Sequence, residues 1–400
     1  MSYDVIVVGA RVAGAATALL LARDGFRVLV VDRARFPSDT LSTHLIMAPG
    51  VERLRRWGLL DPLLAAGTPA TRRISFTGGP VTVSGDVDLL VSPRRTVLDA
   101  MLVDAARAAG VEVRERCTVT GLATTGDRVG GVHIGPVTER ARLVVGADGK
   151  HSTVAAAVGA ASYRRQQPAT FASYGYWTGV HAGGGELYRL PDRMVATFPT
   201  NDGCSLVYLA GPLAHFPAYR AGIEAGFLST VDRCGDLGGR MRAGTRVERI
   251  RTTPDLPQEH RVPYGPGWLL VGDAGLVLDP ITAQGITNAL RDAESAAAAI
   301  AESLRHPDRE HDAFARHHRT RDAAVRAMDA FTADSARFAD GRALELVLAA
   351  IRDHPAEVER FLGLFTGTTP VGGYFAARNL VRVLGVRGVT RLVADRLTRR

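Results

Sequence analysis

Gly9 and Gly14, in the stretch VVGARVAG at residues 7–14, have the spacing of a backbone that wraps a pyrophosphate. Arg11 stands where a second glycine is usual. The first glycine of such a loop permits the tight turn, the second lets phosphate approach bare backbone, and the third lets helix pack on strand. At the second place a side chain is tolerable in two ways. It can point away into solvent, or it can be a cation that itself meets the phosphate, as a guanidinium does. Val12 and Ala13 complete the loop and count with it as cofactor-binding. Asp32 follows Gly14 by 18 residues. There a carboxylate accepts both hydroxyl hydrogens of an adenosine ribose. The chemistry is dinucleotide binding, with NAD, NADP and FAD all open.

These residues need a strand, a helix and a second strand to hold them. YDVIVV is an apolar run with β-branched residues, AGAATALLLARDG has helical propensity and ends at Gly25, and FRVLVVDR is a buried strand ending in an acid. Two distant stretches add further turns. ARLVVGADGKHSTVA, residues 141–155, runs from a strand through Asp148 and Gly149 into a helix starting near His151 or Ser152. In GWLLVGDAGLVLDPITAQGITNALRDAESAA, residues 267–297, a strand enters Gly272 and Asp273, a loop passes Asp279 and Pro280, and a long helix begins near Ala283.

The three fingerprints together resemble the FAD-dependent monooxygenases of the aromatic-hydroxylase type, whose relatives are the geranylgeranyl reductases and the flavin-dependent halogenases. The resemblance covers about residues 1–330. It implies that FAD is bound, that Asp32 holds the adenosine ribose, and that Arg33 lies beside the adenine. It places Asp148 and Gly149 near the pyrophosphate and a passing nicotinamide nucleotide, and has Asp273, after Gly272, hydrogen-bond the ribityl chain. In SPRRTVLDAML, residues 92–102, Arg95 matches an arginine that opens a helix beside the flavin better than Arg94 does. Pro280 stiffens the turn before the long helix, and Gly285, with Ile286 after it, exposes backbone amides at the helix's positive end. Such a helix end stabilises a reduced flavin, which is anionic around N1 and C2.

The expected architecture is α/β: a Rossmann-like FAD-binding domain from residues 1–70, 96–160 and 266–305, an inserted β-rich substrate domain from 71–95 and 161–265, and a helical region at 306–400. Along YGYWTGV, alternation puts Tyr174, Tyr176 and Thr178 on one face, and Gly175 and Trp177 on the other. Tyr176 and Phe198 are candidate substrate contacts, set against plain core packing. His44 is read at the start of a helix, touching ring or substrate, or else capping or solvated.

Composition narrows the function class. The chain has 400 residues, 46% hydrophobic and 22% charged, and a formal charge of +8. Lys150 is the single lysine among 49 Lys and Arg, and the arginines are scattered among acids. Nucleic acid is therefore not expected as a partner, whereas a positive surface attracts anionic small molecules. Cys117, Cys204 and Cys234 lack disulfide or zinc spacing, and no metal site is expected. With no long apolar run and a first strand at Tyr3, cytoplasmic residence without stable membrane insertion is the expectation. The basic, amphipathic tail from Tyr374 reads as a helix packed on the body or on a second subunit, or as a membrane-surface helix.

The expected activity is insertion of one oxygen atom from O2 into a bulky hydrophobic or aromatic small molecule, through a flavin C4a-hydroperoxide. No residue pair stands out as nucleophile and base, so catalytic residues are unassigned and the cofactor carries the hard step. NADPH or NADH serves as transient reductant on the FAD domain, or a separate flavin reductase supplies electrons. Halogenation is disfavoured, because Trp57, Trp177 and Trp268 are isolated and the sole lysine follows Asp148. Reduction of an isoprenoid double bond is the main alternative. A non-catalytic flavin-binding protein is another.

Overall fold

The computed structural model describes residues 2–181, 183–338 and 341–397. Among these residues the strands form two eight-stranded sheets and one three-stranded sheet. In the first sheet five strands run parallel in the order Trp268–Leu270, Val137–Gly146, Tyr3–Val8, Val28–Val31 and Glu112–Arg114. The runs VLVV and YDVIVV are buried on both faces, as central parallel strands must be. One face is covered by the helices Val12–Arg23, Arg95–Ala108 and Gly285–Arg305, which share a core with Leu19, Leu98, Leu290 and Ile300. Alanines at 15, 16, 18, 293 and 296 allow close packing there. The strand Val137–Gly146 also continues an antiparallel meander with Val119–Thr125 and Arg128–Ile134.

The second sheet takes strands Ala70–Gly78 and Val81–Val91 from one part of the chain and Thr170–Thr178, Gly185–Arg189, Met194–Pro199 and Cys204–Pro212 from another. Its two faces have separate cores. Tyr174 and Tyr176 lie with Phe198, Leu206 and Tyr208 on the side towards Leu45, Met47 and the turn at Ile281. Phe171 and Trp177 face the other way, under helices between Leu213 and Ala243. Those helices lie inside the stretch read as β-rich. Trp177 stacks on Phe227, with centroids 5.5 Å apart and planes at 13°. They are needed because a sheet with apolar residues on both faces must be covered on both.

Four longer helices follow: Glu310–Ala336, Gly341–Ile351, Pro355–Thr366 and Ala377–Leu397. Those at Gly341–Ile351 and Pro355–Thr366 cover the face of the second sheet that carries Tyr174 and Tyr176, through Leu348, Phe361 and Leu362. Phe76 of the sheet stacks on Phe365 at 5.0 Å and meets Phe361 edge-on at 5.3 Å. The last helix bends at Gly385, whose φ of 68° is non-helical. Among the described residues no helix is long and apolar enough to cross a membrane.

Candidate cofactor and substrate site

The three turns meet at the carboxyl ends of adjacent parallel strands, where ligands of open α/β sheets bind. Gly9 has φ +105°, and a Cβ on it would sit 2.4 Å from the Ala147 carbonyl oxygen. A Cβ on Gly14 would lie 1.9 Å from the Gly9 carbonyl oxygen and 3.0 Å from the Ala147 Cβ. One on Gly272 would lie 2.8 Å from the Ala13 Cβ. Stretches separated by more than a hundred residues thus touch through atoms that only glycine leaves room for.

Asp32, 9% exposed at the end of its strand, accepts the Ala10 amide at 2.6 Å and the Ala34 amide at 2.7 Å. A carboxylate offers about four lone-pair sites, so acceptor capacity remains for ribose hydroxyls. Arg33 beside it is exposed.

Arg11 precedes the helix Val12–Arg23, and its guanidinium is engaged by protein. Nη1 is 2.5 Å from Oδ2 of Asp99, and Nη2 donates to Ser38 Oγ and the Asp39 carbonyl, each at 3.2 Å. Arg95, the first residue of its helix, grips the same carboxylate through Nε at 3.1 Å and Nη2 at 2.9 Å. Asp99, with a fully buried side chain, therefore joins two cations. Its signal in the sequence was its place four residues after Arg95, one helical turn on.

The helix after Asp148 starts at Thr153 with Ser152 as its cap. The Asp148 carboxylate accepts from Ser152 Oγ at 2.5 Å and from the Thr153 amide at 2.6 Å, so it holds this turn in shape. Gly149, at φ +83°, has open space where a Cβ would be. Lys150 and His151 both pair with Asp255, at 3.0 and 2.7 Å.

The Gly272 amide donates to Asp292 Oδ2 at 2.7 Å, a partner from the long helix that fixes the turn carrying Asp273. Asp273 is exposed at the surface, yet the protein packed around its carboxylate displaces much of its hydration. This desolvation raises its carboxyl above the usual range, against the pull of Arg95 and Lys150. Pro280 opens a short 3-10 turn, Ala283 adopts φ +53°, and the helix begins at Gly285 rather than near Ala283. Gly285 is exposed and a Cβ on it would meet nothing within 4 Å, whereas the Ile286 side chain is buried.

This donor set fits FAD. Two helix starts, at Val12–Ala13 and Gly285–Ile286, present amides without helical acceptors, suited to a pyrophosphate and to an electron-rich ring edge. Asp32 and Asp273 supply carboxylates for hydroxyls, and the open space at Gly149 and Gly285 leaves room for an extended molecule.

His44 departs from expectation. The helix begins at Ala48, not at His44, which lies in irregular chain with φ 63° and is fully buried, so it neither caps a helix nor meets solvent. Its Nδ1 is 2.9 Å from the Ser42 carbonyl oxygen and therefore carries the hydrogen. Nε2 then accepts from the Tyr176 hydroxyl at 2.6 Å. Burial pushes the imidazole down to about 3, with the Ser42 bond opposing and Arg95, Arg94 and Arg251 reinforcing the shift. Arg94 lies over the Tyr176 ring, 4.4 Å from its centroid. Burial likewise raises the Tyr176 phenol well above its ordinary value.

Next to this pair is an apolar cavity of about 40 Å³ lined by Leu45, Met47, Leu187, Phe198, Leu206 and Phe365, with Tyr208 and the turn Pro280–Ala283. Phe198 is thus a wall of the cavity, and Tyr176 is not. Asp279, just before the turn, accepts from Thr170 Oγ1 at 2.7 Å and from the Ile281 amide at 3.0 Å. Burial raises its carboxyl to about 6 against those two bonds. Asp99, Asp292 and Tyr208 were not singled out by sequence reasoning, and for Asp292 and Tyr208 the local sequence holds no signal.

The comparisons with known proteins agree with this geometry. Residues 2–202 match the family model described as "FAD binding domain". Digeranylgeranylglycerophospholipid reductase 1 of Methanococcoides burtonii is 26% identical over 317 residues, covering 76% of each chain. The 6-methylpretetramide 4-monooxygenase of Streptomyces rimosus is 28% identical over 327 residues, covering 76% of this chain and 77% of that one. Among solved structures, the flavin-dependent brominase Bmp2 superposes with TM-score 0.80 at 18% identity over 99% of this chain and 100% of its own, a likeness of fold. The matching family model and the meeting of three glycine turns make one conclusion: the chain belongs to the FAD binding domain family of flavin-dependent oxidoreductases.

Proposed function

We propose that this protein is an FAD-dependent monooxygenase that inserts one oxygen atom from O2 into a hydrophobic or aromatic small molecule, with NADPH or NADH, or a separate flavin reductase, supplying electrons. The observation that carries this reading is the apolar cavity whose wall includes the Pro280–Ala283 turn, directly before the exposed helix start at Gly285. When bound, FAD supplies the electrons that activate dioxygen. The chain's own residues do the rest. The amides of Val12 and Ala13 and the Asp32 carboxylate hold the dinucleotide, and the Gly285 helix end offers positive potential to the ring. Leu45, Met47, Phe198 and Phe365 exclude water from the reacting atoms. A ring-sized molecule exceeds the present volume, so it enters only as pliable side chains such as Met47 and Met194 change rotamer. The monooxygenase relative from Streptomyces rimosus supports the reaction class.

Reduction of a carbon–carbon double bond is the second reading, supported by the reductase relative and by the same apolar cavity. Labelled dioxygen separates the two. FAD-loaded protein, NADPH and candidate substrates under ¹⁸O2 give a product heavier by one labelled oxygen in the first case, and by two hydrogens in the second. Steady NADPH oxidation by the purified protein counts against a non-catalytic role. No flavin bleaching by NADPH alone points to a partner reductase.

A further inference from the structure

The cavity wall contains a fully buried hydroxyl whose bonding is incomplete. Tyr208 is 5% exposed, and its hydroxyl is buried with no hydrogen-bond partner among the described residues. Two other hydroxyls of the wall have partners: that of Thr282 meets Thr332 at 2.7 Å, and that of Thr366 meets Thr368 at 3.2 Å. Asp279, the nearby carboxylate that bears on the Tyr208 phenol, is already engaged by Thr170 and the Ile281 amide. A buried hydroxyl without a partner is costly and calls for an explanation. Ligand pockets are mostly apolar, with a few polar groups that fix orientation.

We propose that the Tyr208 hydroxyl is a substrate-binding donor, and that the substrate is an apolar molecule carrying one acceptor oxygen, ketonic or phenolic, at the end that meets the Pro280–Ala283 turn. Burial holds the phenol protonated well past neutral pH, so it acts as a donor. A donor at that end of the cavity sets which atom of the substrate points to the Gly285 helix start, and Tyr208 is in this sense a specificity-determining residue. The proposal rests on the reading of the cavity as the substrate site.

The test reads binding without turnover. FAD-loaded full-length protein is titrated calorimetrically with acetophenone and with α-methylstyrene, which differ in a carbonyl oxygen against a methylene. The wild type should bind acetophenone about tenfold more tightly. Tyr208→Phe should abolish the preference while leaving the affinity for α-methylstyrene in place. In the absence of either probe, Tyr208→Phe should melt at the same temperature as the wild type or higher, since it removes an unpaired buried hydroxyl. Four results overturn the proposal: no preference in the wild type, a preference that survives in Tyr208→Phe, a lower melting temperature of that variant, or no binding of either probe. Because no reductant is present, the outcome is independent of whether the bound molecule is later oxygenated or reduced. A failed ¹⁸O2 experiment would leave it standing.

Discussion

Arg11 Nη1 and Asp99 Oδ2 are 2.5 Å apart across 88 residues of chain, tying the phosphate loop to the helix Arg95–Ala108. Arg95 shares the carboxylate, so its removal leaves two guanidiniums unpaired, one of them nearly buried. Asp99→Ala should cost about 3 kcal/mol of stability, read by urea unfolding. Arg11→Ala should cost less, because Arg95 still neutralises Asp99, but it frees Ser38 and Asp39 from the loop. Its effect should show as faster FAD release. Unchanged release would mean that the segment is held by other contacts.

Gly14 and Gly285 are expected to fail differently. A Cβ on Gly14 collides with the Gly9 carbonyl oxygen at 1.9 Å, so Gly14→Ala should lose about 3 kcal/mol or more and retain no yellow cofactor. A Cβ on Gly285 meets nothing within 4 Å among the described residues. Gly285→Ala should keep the stability of the FAD-free chain within about 0.5 kcal/mol. FAD affinity, measured by fluorescence titration, should nevertheless fall about tenfold. Equal affinity would place the ring away from this helix start.

His44 predicts a pH dependence. Its folded value of about 3 lies below the ordinary 6.5, so the unfolded chain takes up the proton first as pH falls. The stability it supports is complete above about pH 6.5 and is lost progressively towards pH 3, by on the order of 4 kcal/mol. Unfolding free energies of the wild type minus those of His44→Asn should follow this curve. Asparagine suits the comparison, since it tolerates φ near 63° and does not titrate. Other titrating groups, such as Asp279, cancel in the difference.

The Tyr176 hydroxyl supplies the bond that His44 Nε2 accepts. Tyr176→Phe leaves a buried ring nitrogen without a donor and should cost about 2 kcal/mol, seen as a lower denaturation midpoint with an unchanged slope.

Asp292 holds the Gly272 amide from 20 residues away. Asp292→Ala should destabilise by about 2 kcal/mol and speed FAD release, since the turn bearing Asp273 loses its anchor. Stopped-flow measurement of FAD release separates this from general loosening if Tyr176→Phe, equally destabilised, releases FAD at the wild-type rate.

What was legible in the sequence was local. Gly9, Gly149 and Gly272 mark sharp turns because their φ values of +105°, +83° and +57° exclude most side chains, and β-branched runs before them mark buried strands. Turn, strand and helix signals of this kind depend on a few neighbouring residues, so the three glycine turns, the strands that enter them and the resemblance to FAD-dependent enzymes were legible. The helices between Leu213 and Ala243 were missed because they exist to cover a sheet face, and that need arises only once the sheet is assembled. Which face Tyr174 and Tyr176 present also waits on assembly, since alternation defines two faces without saying which is covered by what. Side-chain partners were decided by packing alone: Arg11 turns to Asp99, His44 finds Tyr176 132 residues away, and Phe365 from the carboxyl-terminal helices closes a cavity built by the inserted sheet. Hydrogen bonds and contacts between distant segments depend on three-dimensional distance, which a linear pattern does not encode.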